Sequence, residues 1–103
     1  MEISISGHSG YAPSGQDIVC AGISTLGQTA AMMYAKMEAA GELETFTAEK
    51  SNGTLLLAVK AYKHTKAKAK GIYNFFCMGA KLIADNYPKN VIVTVEGGEK
   101  IEN

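Results

Sequence analysis

The sequence lacks net charge, and it also lacks the marks of a membrane or secreted protein. Ten basic side chains balance ten acidic ones, so no overall field draws the protein to nucleic acid or to an anionic membrane surface. No apolar run is long enough to cross a bilayer, and the first residues show no signal-peptide pattern. We therefore expect a cytoplasmic protein that makes no direct contact with nucleic acid or membrane.

Cysteine is scarce, which argues against a metal site and against a disulfide framework. The two cysteines, Cys20 and Cys77, lie in dissimilar settings, and the sequence has neither a CxxC motif nor paired His/Cys spacing. Such spacing is typical of structural zinc sites, whereas disulfides belong to oxidising compartments. We expect free thiols, no metal and no cofactor.

Apolar periodicity predicts one α+β domain spanning residues 1–103, which is long enough to build its own core. The predicted order is strand-helix-strand-strand-helix-strand, with a single sheet of about four strands and two long helices. The Asn52-Gly53 pair predicts a hairpin, and Gly41 a helix C-cap. The predicted strands are residues 2–6, 43–49, 54–62 and 91–96, and the predicted helices are residues 18–40 and 65–87. The third strand is apolar on both faces, which favours a central position in the sheet.

Apolar stripes on the two helices predict the faces that pack on the sheet. On the first helix the stripe is Val19, Ile23, Leu26, Ala30, Met33 and Met37, and on the second it is Ile72, Phe75, Phe76, Gly79, Leu82 and Ile83. The methionines Met32, Met33, Met37 and Met78 are interpreted as gap-filling core residues. The lysines of residues 63–70, together with His64, are predicted to be solvated, because lysines two apart splay around a helix.

The candidate chemistry lies between residues 7 and 24. His8 falls in a loop rich in Gly, Ser and Pro, and Asp17 and Cys20 follow where the first helical pattern begins. If Asp17 caps this helix, Cys20 is its third residue, close to the positive end of the helix dipole, which stabilises a thiolate. Asp17, Cys20 and Ser24 share one stripe of the helix. This order suggests a cysteine nucleophile with a base from the preceding loop.

Each of these residues also has a purely structural interpretation. Cys20 alone could be a small buried apolar residue, and His8 could be a loop residue bonded to a backbone carbonyl. Asp17 could cap the helix without any catalytic role, or it could orient His8. Ser24 could bond within the site or back-bond to the carbonyl of Cys20. Cys77, in the apolar run Phe75-Phe76-Cys77-Met78, is interpreted as packing.

The run Gly7-His8, a glycine-rich loop and then Asp17-Ile18-Val19-Cys20-Ala21-Gly22-Ile23-Ser24 resembles the signature of the ribosomal-processing cysteine protease family, Prp. The family pattern runs Gly-His-Ala, a short loop with a Gly before Asp, then Asp-(Ile/Val)-Val-Cys-Ala-Ala-(Val/Ile)-Ser. The resemblance is specific over about eighteen residues, and element order and length fit across the rest of the chain. This sequence departs from the pattern at Ser9 and Gly22, each in place of Ala. Glycine within a helix costs about 1 kcal/mol relative to alanine. Family members also usually begin with an extra strand, which we expect this fold to lack.

The resemblance implies a cysteine endopeptidase with a His8–Cys20 dyad, supporting positions at Asp17 and Ser24, and a loop hinge at Gly7. It implies that the substrate is the N-terminal extension of a large-subunit ribosomal protein, or a phage head protein with a similar leader, and that the enzyme is a homodimer. The glycine-rich loop also suggests where a peptide binds. The candidate contacts are Gly7, Ser9, Gly10, Tyr11 and Gly15. The alternative is a non-catalytic module that binds a peptide or a ribosomal protein in the same groove.

Overall fold

In the part of the chain that the structure describes, a three-stranded antiparallel sheet packs with two long helices. The computed structural model describes residues 1–6, 14–51 and 54–87, and for residues 6, 14–20 and 51 this description covers the backbone alone. Along the chain the elements are β1 (Glu2–Ser6), α1 (Ser14–Ala39), β2 (Leu43–Ser51), β3 (Thr54–Ala61), a 3-10 turn (Lys63–Thr65) and α2 (Lys66–Asn86). The predicted α+β class is confirmed. The predicted strand at residues 91–96 and the Asn52-Gly53 turn lie outside the described residues.

Strand β3 occupies the centre of the sheet, in the order β1-β3-β2, as its two apolar faces predicted. Ser51 pairs with Thr54, so β2 and β3 form a hairpin with a two-residue connection. Ile3 pairs with Leu57 across β1 and β3. This register is extended at the N-terminus, where the amino group of Met1 donates a hydrogen bond to the Val59 carbonyl at 2.8 Å.

Both helices contribute to one core against the sheet. The largest fully buried side chains are Tyr34, Phe76, Ile3 and Leu57. Tyr34 tilts against Phe46 with ring centroids 5.9 Å apart, and its hydroxyl donates a hydrogen bond to the Ala69 carbonyl at 3.0 Å. That bond satisfies the only polar atom of a ring that otherwise packs as an apolar residue, and it ties α1 to α2.

The predicted stripes are correct in part. Ile23, Ala30 and Met37 on α1 are buried, as are Ile72 and Phe76 on α2. The prediction is wrong for Phe75 and Leu82, which are 57% and 63% exposed. The interpretation of the methionines as core residues holds for Met37 and is wrong for three others, which are exposed: Met32, Met33 and Met78. Each helix therefore carries apolar side chains outside its buried face.

Helix α1 ends as its sequence predicts. Gly41 has φ +75°, a conformation that costs glycine little because it has no Cβ. The N–H of Glu42 bonds to the carbonyl of Met37 at 2.8 Å, and the N–H of Gly41 bonds to that of Glu38 at 2.9 Å. These two bonds form a Schellman motif, which satisfies helix-end carbonyls and turns the chain into β2.

The lysine-rich start of α2 is solvated, as predicted. Lys63, His64 and Lys68 are exposed. Lys68 forms an ion pair with Glu42 at 2.8 Å, and the His64 ring stacks on Tyr62 with centroids 5.7 Å apart.

Alanine substitutions at two helix glycines should change the free energy of unfolding in opposite directions. A Cβ at Gly27 would lie 2.5 Å from Cδ1 of Ile5 and 3.0 Å from Cδ2 of Leu55, so Gly27→Ala should lower the free energy of unfolding by about 1–3 kcal/mol. A Cβ at Gly71 meets nothing within 4 Å, so Gly71→Ala should raise it by up to about 1 kcal/mol. Urea unfolding monitored by circular dichroism measures both. Equal stability of the two variants would contradict the close contact between α1 and β1.

Candidate active site

Helix α1 begins one turn earlier than predicted, at Ser14 rather than Ile18. The loop assigned to residues 7–16 is therefore shorter, and Gly15 lies in the helix. An acidic residue is favourable within the first turn of a helix as well as at its N-cap, so Asp17 is compatible with a helix that starts earlier, at Ser14. Asp17 becomes the fourth residue of α1 and Cys20 the seventh, so the interpretation of Asp17 as the N-cap is wrong.

This shift changes the electrostatic argument for Cys20. The helix dipole acts mainly within the first turn, and the free N–H groups belong to the first four residues, which are residues 14–17. Cys20 follows that turn, so we expect the helix end to stabilise a thiolate there less than it would at the third helical position. Ionisation of the thiol then depends more on a neighbouring base.

Ser24 is the one candidate site residue whose side chain is described. It is exposed, and its hydroxyl oxygen accepts a hydrogen bond from Nε2 of Gln28 at 2.9 Å. One turn of α1 separates Ser24 from Cys20, and the intervening Ile23 is buried. Ser24 therefore lies off the core stripe, which fits the predicted stripe, whereas the positions of the Cys20 and Asp17 side chains on it stay a prediction. The proposed bond from Ser24 to the Cys20 carbonyl stays a prediction.

His8 and its loop neighbours Gly7, Ser9, Gly10 and Tyr11 lie outside the described residues, so the dyad itself stays a prediction. The lengths of the flanking segments limit the distance in space between His8 and Cys20. Ile5 on β1 contacts α1 at Gly27. His8 is three residues after Ile5, a span of up to about 10 Å, and Cys20 is seven residues before Gly27, or about 10 Å along the helix. Both segments lead from that contact toward the β1–α1 connection, so chain length permits the predicted pairing of His8 with Cys20.

Cys77 differs from Cys20 in a way that fits a packing role. Its side chain is half-buried against the core, and burial raises the pKa of the Cys77 thiol, with hydrogen bonding to Tyr73 offsetting part of this effect. Sequence reasoning missed Tyr73 as a polar neighbour, although its i, i+4 spacing from Cys77 on a helix was the available signal. A raised pKa leaves Cys77 protonated and unreactive at neutral pH.

Among the described residues, no cluster of three or more His, Cys, Asp or Glu side chains could hold a metal ion. Within the same part of the chain, no helix is long and apolar enough to cross a membrane. In the described part of the chain, a surface depression lies on α2. It is lined by Phe75, Met78, Gly79, Lys81, Leu82 and Asp85.

Comparison with known proteins decides the family. A family model described as "Cysteine protease Prp" matches residues 1–92, a range that includes Gly7-His8 and the whole run of residues 17–24. The chain belongs to the cysteine protease Prp family. Membership in Prp supports a peptidase that acts on a protein substrate.

A solved structure supports the same fold. The crystal structure of SMU.848 from Streptococcus mutans matches with a TM-score of 0.62 and 26% sequence identity, covering 88% of this chain and 78% of the other. No curated protein matches the chain significantly. The Prp resemblance expected from the sequence is thus confirmed, and so is the α+β fold that it implies.

Proposed function

We propose that this protein is a cysteine endopeptidase in which Cys20 is the nucleophile and His8 is its base. The observation that carries the proposal is the Prp family match over residues 1–92, because this range contains both residues in the family's order. The fold supports it in two ways. Chain length between the described elements allows His8 to reach Cys20, and the exposed side chain of Ser24 fits a helix stripe, shared with Cys20, that is separate from the buried face.

The proposed reaction follows cysteine-protease chemistry. The Cys20 thiolate attacks the carbonyl carbon of the scissile peptide bond, and His8, protonated by the thiol, donates this proton to the leaving amine. Water, with His8 as base, then hydrolyses the resulting thioester and restores the thiolate. The free backbone N–H groups at residues 14–17, one turn before Cys20, are the proposed donors to the oxyanion. Asp17 and Ser24 are proposed to support this arrangement.

The proposed substrate is the N-terminal extension of a large-subunit ribosomal protein, or a phage head protein with a similar leader. This assignment rests on the family resemblance, as does the proposal that the enzyme works as a cytoplasmic homodimer without a cofactor. Incubation with synthetic leader peptides followed by mass spectrometry tests it. Cleavage at one bond, absent in Cys20→Ala, supports the proposal. Tight binding of the leader without cleavage would instead favour the alternative, a non-catalytic module that binds peptides or ribosomal proteins.

The leader is expected to bind as an extended, apolar peptide along the glycine-rich loop and the first turn of α1. Glycines leave room for close approach of a strand-like peptide and for backbone hydrogen bonds. Hydrogen exchange on Cys20→Ala, with and without an apolar leader peptide, should show protection in residues 7–20. Protection confined to residues 63–70 would show that the peptide binds elsewhere and that the predicted location of the groove is wrong.

A further inference from the structure

Gly27 stands in the interior of helix α1, where local preference argues against it. The helix runs from Ser14 to Ala39, so Gly27 is about three turns from either end. Glycine is less favourable at such a position than every residue except proline. Gly27 is also buried, and a buried glycine inside a helix points to a packing reason for the missing side chain.

The packing reason is the close approach of the sheet. A Cβ at position 27 would lie 2.5 Å from Cδ1 of Ile5 and 3.0 Å from Cδ2 of Leu55. Ile5 and Leu55 are partners across β1 and β3, so their side chains stand next to each other on one face of the sheet. These two side chains occupy the space that a side chain at position 27 would need. Gly27 therefore permits a short distance between α1 and β1.

This short distance bears on the proposed dyad, because its two residues lie on the two segments that meet at Gly27. His8 follows Ile5 by three residues, and Cys20 precedes Gly27 by seven. Seven residues are within about 20° of two full helical turns, so positions 20 and 27 lie on one stripe of α1. That stripe meets β1 at Gly27. Position 20 is thus on the side of α1 along which the chain continues from β1 toward His8.

An equally close contact on α1 faces a different element. Leu26 packs where Gly79 of α2 lacks a side chain, and its two methyl carbons would lie 2.8 and 2.9 Å from a Cβ at position 79. This contact sets the distance between α1 and α2. A methyl group added at position 79 therefore strains the core without separating α1 from β1.

We propose that Gly27 is a positioning residue for the peptidase reaction: by admitting Ile5 and Leu55, it keeps α1 close enough to β1 for His8 to reach Cys20. The inference rests on the proposed function, because Gly27 touches no reacting atom and acts through the dyad. A methyl group at position 27 needs a displacement of about 1 Å before the contact with Ile5 reaches an ordinary distance. A misplacement of that size, away from the chemistry, can cost about a hundredfold in rate.

The first test compares Gly27→Ala with Gly79→Ala in cleavage of a leader peptide, at a temperature where circular dichroism shows both variants folded. Each adds one methyl group against side-chain carbons at 2.5–2.9 Å. Gly27→Ala should lower kcat by about ten- to a hundredfold and leave KM within about twofold, because the groups that bind the peptide are retained. Gly79→Ala should retain kcat within about twofold. Equal losses in the two variants would reflect general loss of packing and would overturn the proposal.

The second test is rescue by a compensating change. Ile5→Val removes only Cδ1, the atom that would lie 2.5 Å from the added methyl group. The double variant Gly27→Ala, Ile5→Val should therefore return kcat to within about threefold of the wild type, since the two changes are in direct contact and couple. A folded double variant that stays as slow as Gly27→Ala would contradict the positioning role.

Labelling of Cys20 with iodoacetamide separates this inference from the substrate assignment, because it needs no leader peptide. In a Cys77→Ala background, Gly27→Ala should shift the rise of the labelling rate toward alkaline pH, in the same direction as His8→Ala. Ile5→Val should reverse this shift, and Gly79→Ala should not produce it. Such a shift and reversal in a protein that cuts no leader would support the positioning role while the proposed substrate fails. A profile that responds to His8→Ala but not to Gly27→Ala would overturn the positioning role alone, and one that responds to neither would overturn the dyad as well.

Discussion

Cys20→Ala and His8→Ala should each lower the rate of leader cleavage by at least about a thousandfold, as expected when either member of a nucleophile–base pair is removed. Alanine at position 20 has no nucleophilic sulfur. Alanine at position 8 leaves the thiol without the base that ionises it, and the position of Cys20 beyond the first turn of α1 makes this base more important. Quenched leader peptides, followed by fluorescence and mass spectrometry, give the rates.

The chain offers a matched control for each variant, because it has two cysteines and two histidines. Cys77→Ala and His64→Ala should retain cleavage within about twofold, since Cys77 packs on the core and exposed His64 only stacks on Tyr62. Unchanged turnover in His8→Ala would remove the dyad. A loss of activity in His64→Ala equal to that in His8→Ala would place the base at the start of α2 instead.

Local backbone signals predicted most of the fold. Strand β1 has its predicted bounds, β3 is central, and Gly41 ends α1 with the expected positive φ. Each depends on chemistry within a few residues: alternation, two-sided apolarity, or the freedom of glycine. For the same reason the family run around Cys20 was recognisable from the sequence, since its residues are contiguous.

The errors arise where a choice depends on what lies elsewhere in space. Apolar side chains are spread around α2, so periodicity could not decide that Tyr73 and Ala80 are buried while Phe75 and Leu82 are exposed. The packing of Leu26 against Gly79 sets that rotation, and it is a contact between distant parts of the chain. At α1, Asp17 is favourable both as an N-cap and within a first turn, so local sequence could not fix the helix start, which lies at Ser14.

Iodoacetamide should label Cys20 before Cys77 in the folded protein, by at least about tenfold in rate at neutral pH, because alkylation proceeds through the thiolate. Burial raises the pKa of Cys77, so its thiolate is scarce at pH 7. Cys20, paired with His8 as proposed, would hold more thiolate there. Cys77→Ala and Cys20→Ala let each thiol be followed alone by mass spectrometry.

The pH dependence separates the two thiols further. A raised pKa means that Cys77 becomes reactive only as the pH rises above the usual value near 9, so its labelling rate should climb steeply in alkaline buffer. The labelling rate of Cys20 should already be close to its plateau near neutral pH, and His8→Ala should shift its rise toward alkaline pH because the ionising partner is gone. In denaturant both cysteines should react alike. Faster labelling of Cys77 in the native protein, or a Cys20 profile that His8→Ala leaves unchanged, would show that the reactive thiol and its base have been assigned to the wrong residues.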